Sequence, residues 1–178
     1  MDVILQAAAH ILDTQEAAAY TTNAIAERAG VSIGSLYQYF PNKNAITLAL
    51  IDQDTSLLLA RLQQAAAKTR GMDLLRHLAE VAAAWQLRRP RLAQRLDEHE
   101  ATLPPHYRDA EVQAAVMPLL QRALAEILPA RQVDHPAMAL DLIALTRALT
   151  DAAGARGETD PEALTQRILR TLQGYLAV

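Results

Sequence analysis

The chain has 178 residues, 51% of them hydrophobic and 4% aromatic, with a formal net charge of −3. That much apolar material supports one or two packed domains and excludes a disordered chain, while the lack of cysteine excludes disulfide frameworks and thiolate metal sites. The acidic balance argues against a general polyanion binder but leaves room for a local binding face. Leu and Ala supply the interior, with few β-branched residues, which points to an all-α fold. No apolar run reaches the roughly 20 residues of a membrane span, and the opening stretch lacks a charged region followed by an apolar core. The expectation is a soluble, cytoplasmic protein with no membrane partner.

A first helix is expected to start the chain and end near Gln15–Ala19, because Val3, Ile4, Ala7, Ala8, Ile11 and Leu12 recur at helical spacing. Thr21 or Thr22 can cap a second helix, with Ile25, Ala26 and Ala29 facing inward, and Gly30 ends it. Ser32 can cap a short third helix from Ile33 to about Phe40, which Pro41 breaks. Asn42 can cap a long fourth helix, with Ile46, Leu50, Ile51, Leu57, Leu58 and Leu62 as its apolar stripe, running to about Arg70. Beyond Gly71 the composition shifts. Further helices are predicted over Met72–Arg88, Arg91–Ala101, Tyr107–Leu128 and Ala137–Ala153, with a last one opening at Pro161. Pro118 should kink or split the Tyr107–Leu128 segment. This gives about nine helices: a head over 1–46, and a body over 47–178 joined to it by the 42–70 helix.

The segment from Thr21 to Ile46, TTNAIAERAGVSIGSLYQYFPNKNAI, carries the functional signal. It reads as a helix, a tight turn at Gly30-Val31-Ser32, and a second short helix. Ala26 and Leu36 can pack across the turn with Val31 at the corner, which leaves the outer face of the second helix free. On that face stand Ser32, Ile33, Ser35, Tyr37 and Gln38, with Gly34 allowing close backbone approach. Small and polar groups at the start of an exposed helix are what a DNA major groove requires of a recognition helix.

These residues resemble the TetR-type (tetracycline repressor-like) family of transcriptional regulators. The likeness lies in Thr22, Ile25-Ala26, Ala29-Gly30-Val31-Ser32, Gly34-Ser35-Leu36-Tyr37, Tyr39-Phe40-Pro41, Asn42-Lys43 and Ala45. The resemblance implies that Thr22 caps the second helix and touches a phosphate. It places Ser32 at the head of the recognition helix and Ile33, Gly34, Ser35 and Gln38 nearest the bases. It gives Tyr37 and Tyr39 hydroxyl contacts to phosphates, with Tyr37 also able to reach a base. Lys43 would contact the DNA backbone, assisted by amides at the start of the fourth helix. Tyr39 has an alternative, packing on the first helix. Ile33 can meet a thymine methyl or contribute little. Members of the family usually carry a basic stretch before the first helix. Here residues 1–43 hold Asp2, Asp13, Glu16 and Glu27 against Arg28 and Lys43. Either a basic arm is missing from this sequence or affinity rests on few phosphate contacts.

The resemblance further implies a homodimer and a small-molecule effector, with no cofactor and no metal. Leu140, Ile143, Ala144, Arg147, Ala148 and Asp151 share one side of a helix, and Leu164, Ile168, Leu172 and Tyr175 recur on the last one. Together they can form a four-helix dimer interface or an internal core. Pocket candidates are His77, Val81, Trp85, Leu96 and His99, with Leu103, Tyr107, Met117, Leu120 and Leu124. The cluster Asp97-Glu98-His99-Glu100 with His106 has metal-ligand residue types but not the His-Glu-x-x-His spacing, and no nucleophile elbow or phosphate loop occurs. An enzyme is therefore not expected. The remaining alternative is a helical ligand-binding or scaffold protein with weak DNA affinity.

Overall fold

A computed structural model describes residues 1–101, 107–128 and 134–177, with backbone alone at 107–109. Its helices are α1 (Asp2–Thr14), α2 (Thr22–Ala29), α3 (Ile33–Tyr39), α4 (Lys43–Ala66), α5 (Gly71–Arg88), α6 (Pro90–Glu100), α7 (Tyr107–Ile127), α8 (His135–Ala155) and α9 (Pro161–Leu176). A 3₁₀ turn at Ala17–Ala19, not anticipated from periodicity, joins α1 to α2. Among the described residues all regular structure is helical.

The chain forms two compact units. The first holds Met1–Thr55 together with the later stretch that carries α6; the second holds Ser56–Arg88 and the chain from Asp109 onward. The expected head therefore gains a helix from the expected body. The reason is local chemistry. Leu92 and Leu96 of α6 are buried in the same cluster as Ile4, Ile11, Ile25, Leu36, Phe40 and Ile46. Arg89, just before α6, donates through Nε to Asp13 at 2.9 Å and through Nη2 to the Ala9 carbonyl at 3.1 Å. The guanidinium thus satisfies one carboxylate and one backbone acceptor on the same helix.

The short helices of the head are bounded by named interactions. Thr21, not Thr22, caps α2: its Oγ1 accepts from the Ala24 amide at 3.2 Å. Gly30 ends α2 at φ +69, a left-handed conformation that costs a residue without Cβ little. Ser32 caps α3, accepting from the Ser35 amide at 3.0 Å. Phe40 closes α3 in extended backbone because it precedes Pro41. Asn42 opens α4, its Oδ1 accepting from the Ala45 amide at 2.9 Å.

Three sequence expectations need correction. Val3 is 52% exposed, and Leu5 takes its place in the α1 core. Leu57 is 51% exposed although it was placed on the α4 stripe. The buried residues of α4 are Ile46, Thr47, Leu50, Ile51, Thr55, Leu62 and Ala66. Two residues beyond Thr55 is roughly 200° around the helix, so Leu57 points the other way. Third, α7 is not split: it runs through Pro118 as one helix. Pro118 and Ala114, whose carbonyl loses its amide partner, are both exposed, so water can satisfy the freed acceptor.

In the second unit α5 packs on α8 and α9, and α8 packs on α9. Leu74, Leu75, Leu142, Leu164 and Ile168 form the centre of that core, joined by Leu120, Ala123 and Leu124 from α7. Arg122 donates to the Ala66 carbonyl at 3.0 Å, closing the end of α4. Asp134 and Asp160 cap α8 and α9 ahead of Pro136 and Pro161.

Leu36 is fully buried at the centre of the head. Leu36→Ala is expected to cost about 2–5 kcal/mol in urea unfolding. A loss under about 1 kcal/mol would contradict the placement of α3 on that core.

Candidate nucleic-acid interface

Leu36 turns inward from α3, leaving Ile33, Gly34, Tyr37 and Gln38 exposed, with Ser32 at its cap and Tyr39 at its end also in solvent. Ser35 is half-buried. Its hydroxyl lies 2.8 Å from that of Ser32, so the two form a fixed hydroxyl pair at the start of the helix. Thr22, half-buried as the first residue of α2, brings its hydroxyl 3.3 Å from the Tyr37 hydroxyl. That bond crosses the turn and holds the phenol at a set height above α3. Tyr39 is 59% exposed, which removes the alternative that it packs on α1.

Lys43 stands exposed at the first residue of α4. Its ammonium lies 5.5 Å from the centre of the Tyr20 ring, within range of a cation–π interaction. Tyr20 is buried, and its hydroxyl bonds that of Thr47 at 3.0 Å. Thr47 in turn donates to the Lys43 carbonyl at 3.1 Å. The start of α4 is thus tied from both sides. Burial pushes the Tyr20 phenol up, partly offset by its bond to Thr47. Sequence reasoning missed Tyr20. The available signal was a tyrosine directly before the Thr21-Thr22 cap, where a polar-tipped ring can pack inward and still reach a partner.

The nine DNA candidates thus lie on α3 and its flanks, all within the first unit. The described pocket candidates fall in both units. Leu96 is buried in the head cluster, and His99 also belongs to the first unit. Burial, then the charge of Lys43, hold the His99 imidazole below its ordinary range. His77, Val81, Trp85, Met117, Leu120 and Leu124 belong to the second unit. There Leu120 and Leu124 are core, with Val81 and Met117 packed against them. His77 Nδ1 donates to the Asp73 carbonyl at 2.7 Å, and the Arg88 guanidinium lies 4.0 Å from the centre of the Trp85 ring. Leu103, with His106, lies outside the described residues, as does the side chain of Tyr107.

The interface candidates divide. Leu164, Ile168 and Leu172 are buried inside their own chain, so they are core rather than a free surface of α9. Their spacing matched either role, and packing against α5 and α8 settles it. Leu140, Ala144, Arg147, Ala148 and Asp151 are exposed along α8, with Ile143 half-buried. Tyr175 of α9 is 40% exposed and donates its hydroxyl to Asp141. That bond to a carboxylate holds the phenol above its ordinary range.

Residues 4–50, most of α1, all of α2 and α3 and the start of α4, match the family described as bacterial regulatory proteins, tetR family. Over those residues the chain resembles that family. The chain is 31% identical, over 98 residues, to the nucleoid occlusion factor SlmA of Vibrio vulnificus. That stretch is 54% of this chain and 50% of the factor, so the chain spans about half the length of that relative. The fold is similar to that of a tetR-family regulatory protein from Rhodococcus (TM-score 0.73, 19% identity, 96% of this chain and 93% of that one). It is also similar to that of the regulator FadR from Bacillus subtilis, solved in complex with stearoyl-CoA (TM-score 0.77, 19% identity, 96% of both chains). Among the described residues no helix is long and apolar enough to cross a membrane.

A histidine held low in the folded state lets the unfolded chain take up the proton first. The His99 contribution is therefore intact above about pH 6.5 and lost as pH falls below it. The thermal midpoint is expected to drop between about pH 7 and about pH 5.5, and to drop less in His99→Gln. An identical fall in both proteins would contradict this assignment.

Proposed function

We propose that the chain is a transcriptional repressor that binds a near-palindromic operator in double-stranded DNA as a homodimer, and that a small, largely apolar ligand releases it. The observation that carries this reading is the exposed outer face of α3, held rigidly by the buried Leu36 and flanked by a tethered Lys43. In this reading Ile33, Gly34, Ser35 and Gln38 face base edges in the major groove. Thr22, Tyr37 and Tyr39 offer hydroxyls to phosphates, Ser32 holds the start of α3, and Lys43 adds charge at the α4 N-terminus.

A helix of seven residues reads too few base pairs to single out an operator. Two heads about 34–36 Å apart would read successive major grooves. The exposed α8 face at Leu140, Ala144, Arg147, Ala148 and Asp151, continued by Tyr175, is the surface proposed for the dimer. Small residues there permit close helix approach. The apolar residues of α5 and α7 in the second unit are the proposed surroundings of the effector. The likeness to a regulator crystallised with stearoyl-CoA supports an apolar chemistry for it. Such a ligand acts only through its difference in affinity between the DNA-competent state and the other. A DNA-binding regulator also implies a cytoplasmic location and no catalytic role.

The scarcity of cations in residues 1–43 favours a second reading, a helical ligand-binding protein with weak DNA affinity. Salt dependence separates the two. Gel shifts with DNA from upstream of its own gene are expected to give specific retardation. The slope of log affinity against log salt should be shallow, and Lys43→Ala should reduce it by about 1. A slope matching about ten phosphate contacts would contradict the few-contact account. No retardation at low salt would favour the second reading.

A further inference from the structure

We propose that Ile33 reads the 5-methyl group of thymine, so that the head recognises its site by an apolar contact as well as by hydrogen bonds. The inference rests on the DNA-reading role proposed for α3 and names the group that α3 selects. Ile33 is the first residue of α3, is 39% exposed and lies outside the apolar cluster of the head. Part of its side chain is covered by its own chain, and the rest is open to solvent. As a β-branched residue it is also a poorer choice for an exposed helix position than an unbranched one. Its exposed part is open to a partner surface.

Its surroundings narrow the partner. Gly34 beside it has no side chain, and a Cβ added there would meet only the Ser32 hydroxyl, at 3.8 Å. The backbone at Gly34 is therefore open to close approach. Next to Ile33 stands the Ser32–Ser35 hydroxyl pair, and one turn on is the exposed Tyr37, bonded to Thr22. A lone aliphatic group in a field of hydroxyls is too small an apolar area for a protein partner. It suits the major-groove edge of a T·A pair, which sets one methyl group among hydrogen-bonding acceptors and a donor. The branched side chain has few rotamers to lose when it meets that methyl.

The test uses duplexes selected by the wild-type chain from a random library, each prepared once with thymine and once with uracil, which lacks only the methyl. Replacing thymine by uracil is expected to weaken wild-type binding about fourfold per half-site, the effect of burying one methyl-sized group. Ile33→Val should keep that discrimination. Ile33→Ala, at an exposed position, should melt like the wild type and bind both forms alike. An equal loss on uracil in the wild type and in Ile33→Ala would overturn the proposal alone. Failure of the wild type to select any duplex would overturn it together with the reading on which it rests.

Discussion

The burial of Leu36 against Ile25, Ile46 and Phe40 is the contact on which the head depends. A helix of seven residues has no independent stability, because nucleation costs more than so few hydrogen bonds return. Its position is therefore imposed from outside: a serine cap before it, Pro41 after it, and one leucine anchored in a core built by α1, α2, α4 and α6. The outer face then has no structural duty. That division between an inner face that fixes position and an outer face free to vary suits a reading element.

A second constraint is electrostatic. Residues 1–43 hold only Arg28 and Lys43 as cations, so the proposed face relies on neutral hydroxyls, an amide and a single lysine. Those groups are ordered in advance: Ser32 by Ser35, Thr22 by Tyr37, and Lys43 by the Tyr20–Thr47 chain. Groups held in one geometry before binding lose less freedom on contact, which partly offsets weaker attraction to phosphate. Neutral contacts also respond little to salt.

Much of this was legible in the sequence because it depends on local rules. The caps at Ser32 and Asn42, the left-handed Gly30 and the break at Pro41 involve residues a few positions apart, where residue type and backbone conformation are tightly linked. Features that depend on distant partners were not legible. Arg89 finds Asp13 across 76 positions, and that meeting carries α6 into the head. Nothing in the charged stretch from Arg91 to Ala101 announces its destination. The α9 leucines illustrate the same limit. A helical repeat of Leu164, Ile168 and Leu172 reports a buried face without saying whether the covering surface is the same chain or a second copy. Leu57 was misplaced because the covered side of α4 changes along its length: Leu50 is buried, whereas Leu57, seven residues on at nearly the same angle, is 51% exposed.

The central claim is that α3 and the start of α4 are the surface that meets DNA. Titrating the isotope-labelled chain with duplex DNA from upstream of its own gene, and following backbone amide NMR signals, tests it most directly. The account predicts that the largest changes fall at residues 32–39 and 43–45, with the α8 and α9 amides little affected. Changes centred on α8 and α9, or none on α3, would contradict it.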